Sequence, residues 1–80
     1  MFENIIPLIQ QIANDRTVPR NIRTICEESI KILENEKQDI AISVNTVISS
    51  MDEVSNDPNI PMYTRTQIWN IVSLLESVRK

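Results

Sequence analysis

Glycine is absent from these 80 residues, and so is histidine. Without glycine, no loop can bring its backbone against a phosphate as glycine-rich nucleotide loops do. Without histidine, the chain lacks the commonest general base and the one side chain that titrates near neutrality when unperturbed. Cysteine occurs once, at Cys26, so neither an internal disulfide nor the usual Cys/His zinc site can be assembled. Aromatic residues are nearly missing: Phe2, Tyr63 and Trp69 stand alone. No apolar run approaches the ~20 residues a membrane span takes. The N-terminus lacks the positive stretch and apolar block of a secretory signal. The expectation is therefore a protein of the cytoplasm with no membrane contact. No cofactor, metal site or catalytic residue is called for. The net charge of −3 counts against nucleic acid, whose phosphates draw on clustered lysine and arginine.

What is there is repeated. Slid by 42 positions, residues 5–34 fall on residues 47–76. The turn Asn14-Asp15-x-x-Val18-Pro19 recurs as Asn56-Asp57-x-x-Ile60-Pro61. Arg23-Thr24 recurs as Arg65-Thr66, and Leu33-Glu34 as Leu75-Glu76. Apolar residues follow the same offset: Ile5 with Val47, Ile9 with Met51, Ile12 with Val54, Ile30 with Val72. A fixed period of this size signals one supersecondary unit built twice. Charged residues at 24% and apolar residues at 41% suit a globular domain. The length suits one domain over 1–80, with hairpin repeats at about 2–34 and 38–78.

Apolar residues recur every three or four positions and never in strict alternation, which predicts helices and no strands. The first helix is expected from about Phe2 to Ala13, with Phe2, Ile5, Leu8, Ile9 and Ile12 inward and Pro7 in the first turn. The second runs from about Pro19 to Glu34, presenting Ile22, Ile25, Cys26, Ser29, Ile32 and Leu33. The third spans about Gln38 to Val54, with a stripe of Ile40, Val44, Val47, Met51 and Val54. The fourth spans about Pro61 to Val78, with Ile68, Ile71, Val72, Leu75 and Val78. With no glycine to hand, the left-handed residue closing each helix is expected to be asparagine, at Asn14, Asn35 and Asn56. Short connections make successive helices antiparallel neighbours and put turns one and three at the same end. Four amphipathic stripes close on one another, so the fold predicted is an all-α antiparallel four-helix bundle of two duplicated helical hairpins.

The Asp-containing turn leading into Val/Pro and Arg resembles hairpin repeats of the HEAT type, whose period is also about 40–47 residues. The strings Val18-Pro-Arg-Asn-Ile-Arg23 and Asp57-Pro-Asn-Ile-Pro-Met-Tyr-Thr-Arg-Thr-Gln-Ile-Trp69 carry a closer likeness. They resemble a small archaeal group, uncharacterised protein family 0147. That resemblance spans nearly the whole chain. It implies a helical bundle and no activity, so no catalytic residue is carried over with it.

Asp15 with Asp57, and Arg23 with Arg65, have two readings. Together they can make a two-carboxylate, two-guanidinium site at one end. Alternatively, each Asp accepts backbone hydrogens at its turn and each Arg bridges back to a neighbouring turn. Residues kept in both copies serve what the copies share, which favours the second reading. Residues that differ are better functional candidates. Trp69 stands where the first copy has Glu27, and Met62 where it has Arg20. Trp69 lies about 100° from Ile68 on a helical wheel, beside the core stripe and near Met62, Arg65, Ser73 and Glu76. It anchors a partner-binding patch, or it wedges the bundle's edge with Arg65 laid over its face. Tyr63 points elsewhere. Cys26, among Ile22, Ile25 and Leu33, reads as a small buried hydrophobe. Ile42, on the polar side of helix three, reads as a single exposed apolar residue.

Arg16, Arg20 and Arg23 gather at the first turn, and Asp52, Glu53 and Asp57 at the third. The leading expectation is a non-catalytic module that binds another protein or itself as a homodimer, with Trp69, Met62, Arg65, Arg20 and Arg16 as contact residues. A second is accessory RNA binding through Arg16, Arg20 and Arg23. A third, ranked last, is a metal-assisted hydrolase built on Asp15, Asp57 and Glu53.

Overall fold

The computed structural model describes residues 2–79. Met1 and Lys80, the outermost residues of the expected domain, lie outside the described residues. Four helices follow in order: α1 (Ile6–Ala13), α2 (Arg20–Glu34), α3 (Ile40–Ser55) and α4 (Met62–Arg79). There is no strand among the described residues. Each helix packs on its neighbour in sequence, and α1 closes back on α4. That last contact makes a bundle and not an open stack of hairpins. The long dimension of 32 Å is close to the span of one long helix, since 18 residues at about 1.5 Å each give roughly 27 Å.

The two proline-led starts show how sequence sets the elements. Pro19 precedes α2 with φ −54° and ψ 147°, an extended value outside the helix. Its carbonyl nevertheless accepts from the backbone N–H of Ile22 and Arg23, and the Pro61 carbonyl does the same for Thr64 and Arg65. The apolar residues before the prolines, Val18 and Ile60, are driven inward and buried. At α3 the start is different: Asp39 caps it, its carboxylate accepting from Ala41 N at 2.8 Å and Ile42 N at 3.4 Å.

Three expectations are corrected. First, α1 begins at Ile6, four residues later than expected. Pro7 has no N–H to donate to the Glu3 carbonyl, so residues 3–5 form a turn in which the Phe2 carbonyl accepts from Ile5 N and Ile6 N. Second, the closing asparagines are not left-handed. Asn14 has φ −95° and Asn56 φ −87°, both right-handed, and Asn35 is extended at ψ 98°. Without glycine the left-handed region costs more than an Asx turn does. The chain uses that turn three times: Asp15 Oδ1 accepts from Thr17 N at 2.9 Å, Asn35 Oδ1 from Lys37 N at 3.1 Å, and Asp57 Oδ1 from Asn59 N at 2.8 Å. Third, Ile40 is 45% exposed, since it is the first residue of α3. Leu8, Ile25, Ile32, Val72 and Val78 sit at the margin, half-buried against the core.

The interior is aliphatic: Ile9, Ile12, Val44, Val47, Met51, Val54, Ile68, Ile71 and Leu75 are fully buried. Removing one such side chain from water contributes about 1.5–3 kcal/mol. Three polar side chains join them, Ser29, Ser43 and Thr64. Ser29 Oγ donates to the Ile25 carbonyl at 2.9 Å. The hydroxyls of Ser43 and Thr64 have no partner among the described residues.

Candidate functional site

The duplicated Asp and Arg residues are bound into the turns that their repetition pointed to. Arg23 Nε donates to the Val18 carbonyl at 3.1 Å. Arg65 does more, with Nε donating to the Ser55 carbonyl at 3.0 Å and Nη2 to the Asp57 carbonyl at 3.1 Å. The fork of a guanidinium suits this double contact, and it ties the end of α3 and turn three to the first turn of α4.

Turns one and three do meet at one end, and the residue that joins them is Tyr63. Its hydroxyl donates to Asp15 Oδ2 at 2.8 Å and lies 2.7 Å from the Thr17 hydroxyl. Thr17 Oγ1 also donates to Asp15 Oδ1 at 2.6 Å. These bonds, from Thr17 first and then Tyr63, hold the Asp15 carboxyl below its ordinary value of 3.8. No sequence signal beyond its departure from Asn21 in the first copy marks Tyr63.

Met62 and Trp69 are the exposed apolar residues of α4's outer side, at 72% and 58%. Seven residues apart, they fall within about 20° of each other on the helix and form one strip. Arg65, expected in the same patch, has its Nε and Nη2 turned to turn three. Arg16 and Arg20 are exposed at the opposite hairpin's turn. The structure thus sets Met62 and Trp69 on one strip, leaves Arg16 and Arg20 exposed on turn one and the start of α2, and gives Arg65 a structural task. Ile42 is 54% exposed on α3.

The other readings fare less well on geometry. Among the described residues no group of three or more Asp, Glu, Cys or His side chains is placed to hold a metal ion. Asp15 is bound to Thr17 and Tyr63, and Asp57 to Asn59, so the ligand set that a metal-assisted hydrolase needs is not gathered. The RNA reading keeps two outward guanidiniums, Arg16 and Arg20, because Arg23 is folded onto Val18. Cys26 is buried and its thiol is pushed up to about 11, by burial first and the neighbouring Glu27 charge second. That keeps it protonated and unreactive at neutral pH. No described helix is long and apolar enough to cross a membrane.

The model of an uncharacterised protein family, UPF0147, matches residues 1–78. The chain belongs to this family. A UPF0147 protein of Methanothermobacter thermautotrophicus is 48% identical over 79 residues, covering 99% of this chain and 78% of that protein. Another, from Methanocaldococcus jannaschii, is 43% identical and covers 99% of this chain and 85% of its own. Two crystal structures share the fold. The unknown-function protein MMP1188 is 43% identical with a TM-score of 0.91, over 99% of this chain and 90% of its own. A UPF0147 protein of Thermoplasma acidophilum is 35% identical with a TM-score of 0.92, over 96% and 91%. Membership brings the UPF0147 bundle and an archaeal kinship. It brings no activity, so function rests on the surface just described.

Proposed function

We propose that this UPF0147 protein is a non-catalytic cytoplasmic interaction module whose contact surface is the outer strip of α4. The observation that carries the reading is the pairing of Trp69 and Met62, both exposed and on one face of a single rigid helix. A solvent-facing Trp is costly to leave wet and is enriched at binding hot spots. A flexible thioether beside it adapts to another protein's side chains. The nearest available occupant is a second copy. Two α4 strips packed antiparallel about a two-fold axis between Arg65 and Thr66 set Met62 of each copy opposite Trp69 of the other.

Sedimentation equilibrium over a wide concentration range tests this first form. The expected result is a reversible dimer that Trp69→Ala weakens by at least tenfold, with helical circular dichroism unchanged. Tryptophan emission is expected to shift to shorter wavelength as dimer forms. A monomer at every concentration removes the homodimer. If a photo-crosslinker at Ser73 then captures no protein from a native extract, the α4 surface is removed with it.

A further inference from the structure

At the far end of the bundle from Tyr63, a cavity of about 500 Å³ opens between the start of α1, the end of α2 and the start of α3. We infer that it is a binding site for a small primary amine carried on an apolar body. Four apolar side chains wall it: Phe2, Ile6, Leu33 and Ile40. Ile40, expected in the core, is instead 45% exposed here. Its volume falls in the range of small-molecule sites, about 300–1,000 Å³.

Two kinds of polar group say what the ligand carries. Ser43 also lines the cavity; it is 2% exposed, and its hydroxyl has no hydrogen-bond partner among the described residues. A buried hydroxyl without a partner is costly, and a ligand group that bonds to it relieves that cost. The hydroxyl both donates and accepts, so it takes an ammonium hydrogen as readily as a carbonyl. The second group is acidic. Glu34 and Glu36, both exposed, line the cavity, and no lysine or arginine is among the described lining residues. Apolar walls under carboxylates select a cation with a greasy body. They repel an anion of the same shape. This site shares no residue with the α4 strip, so the two proposals stand or fall separately.

The test uses three probes of one body and different charge: 4-phenylbutylammonium, 4-phenylbutanol and 4-phenylbutyrate. Each is titrated into the ¹⁵N-labelled protein and followed by amide chemical shifts. The expected result is saturable shifts for the ammonium, confined to residues 2–6, 33–40 and 43, with weaker binding of the alcohol and none of the carboxylate. Replacing both carboxylates, Glu34→Gln with Glu36→Gln, is expected to weaken the ammonium about fivefold, as loss of two exposed ion pairs implies, and to leave the alcohol unchanged. Glu36→Gln alone, in an exposed turn, gives a milder version should the pair fail to fold. No saturable shift at ~10 mM ammonium, a regime that reads even millimolar affinity, overturns the site. So do equal affinities for the three probes, or a double variant that binds the ammonium as well as the natural protein.

Discussion

Thr64 shows how a single residue departs from the repeat. It occupies the place of Ile22 in the first copy, is fully buried, and its hydroxyl has no partner among the described residues. Burying an unpaired hydroxyl costs about 1–3 kcal/mol. Thr64→Val keeps the shape and removes that cost. Thermal denaturation is expected to show a melting temperature raised by about 4–8 °C for each kcal/mol recovered in a domain of this size; an unchanged or lower value means that the hydroxyl is satisfied in solution. Cys26 makes the complementary case. Buried, and with its thiol pushed up to about 11, it should resist alkylation at pH 7 in the folded protein and react readily in denaturant. Fast labelling under native conditions would show that α2 opens locally.

Among the elements, the helix starts with side-chain support make unequal demands. Asp39 caps α3 through two backbone N–H groups, so Asp39→Ala is expected to cost about 1 kcal/mol. Arg65 holds the carbonyls of Ser55 and Asp57, whereas its repeat partner Arg23 holds that of Val18 alone. Urea denaturation should therefore rank Arg65→Ala as more destabilising than Arg23→Ala, by about 1 kcal/mol for the additional hydrogen bond. Arg65→Lys should recover little, because an ammonium lacks the planar fork that reaches both oxygens. Equal losses for the two alanine variants would mean that the second carbonyl contact is not made in solution.

For the whole molecule, the Tyr63–Asp15–Thr17 cluster is the polar link between the hairpins at one end. Its pH dependence follows from the depressed Asp15 carboxyl. A group whose folded pKa lies below its unfolded value adds stability above the unfolded value, here about 3.8, and loses it as the pH falls through the lower folded one. The link is thus intact at neutral pH and fails only in acid, below about pH 4. Carboxyl ¹³C titration should show Asp15 rising toward its ordinary value in Thr17→Val and less so in Tyr63→Phe, since Thr17 is the larger cause. Tyr63→Phe should also lower the melting temperature at pH 7 and make it less sensitive to acid. An Asp15 pKa unmoved by either change would dissolve the link.

The sequence by itself determined the four helices and their antiparallel order, and it favoured the bundle that the α1–α4 contact closes and the structural use of the repeated Asp and Arg. It did so because periodicity, proline position and turn chemistry act over a few residues, and a 42-residue repeat states each of them twice. Late helix starts and right-handed asparagines escaped that reading, since both depend on which local turn competes best with the helix. Only the tertiary structure decided that Trp69 and Met62 share an exposed strip, that Arg65 turns away from it, that Tyr63 reaches Asp15 across 48 residues, and that Ile40 and Ser43 line a cavity. Those facts depend on where the helices lie against one another. Packing between distant segments sets exposure and contact, and no local pattern encodes it.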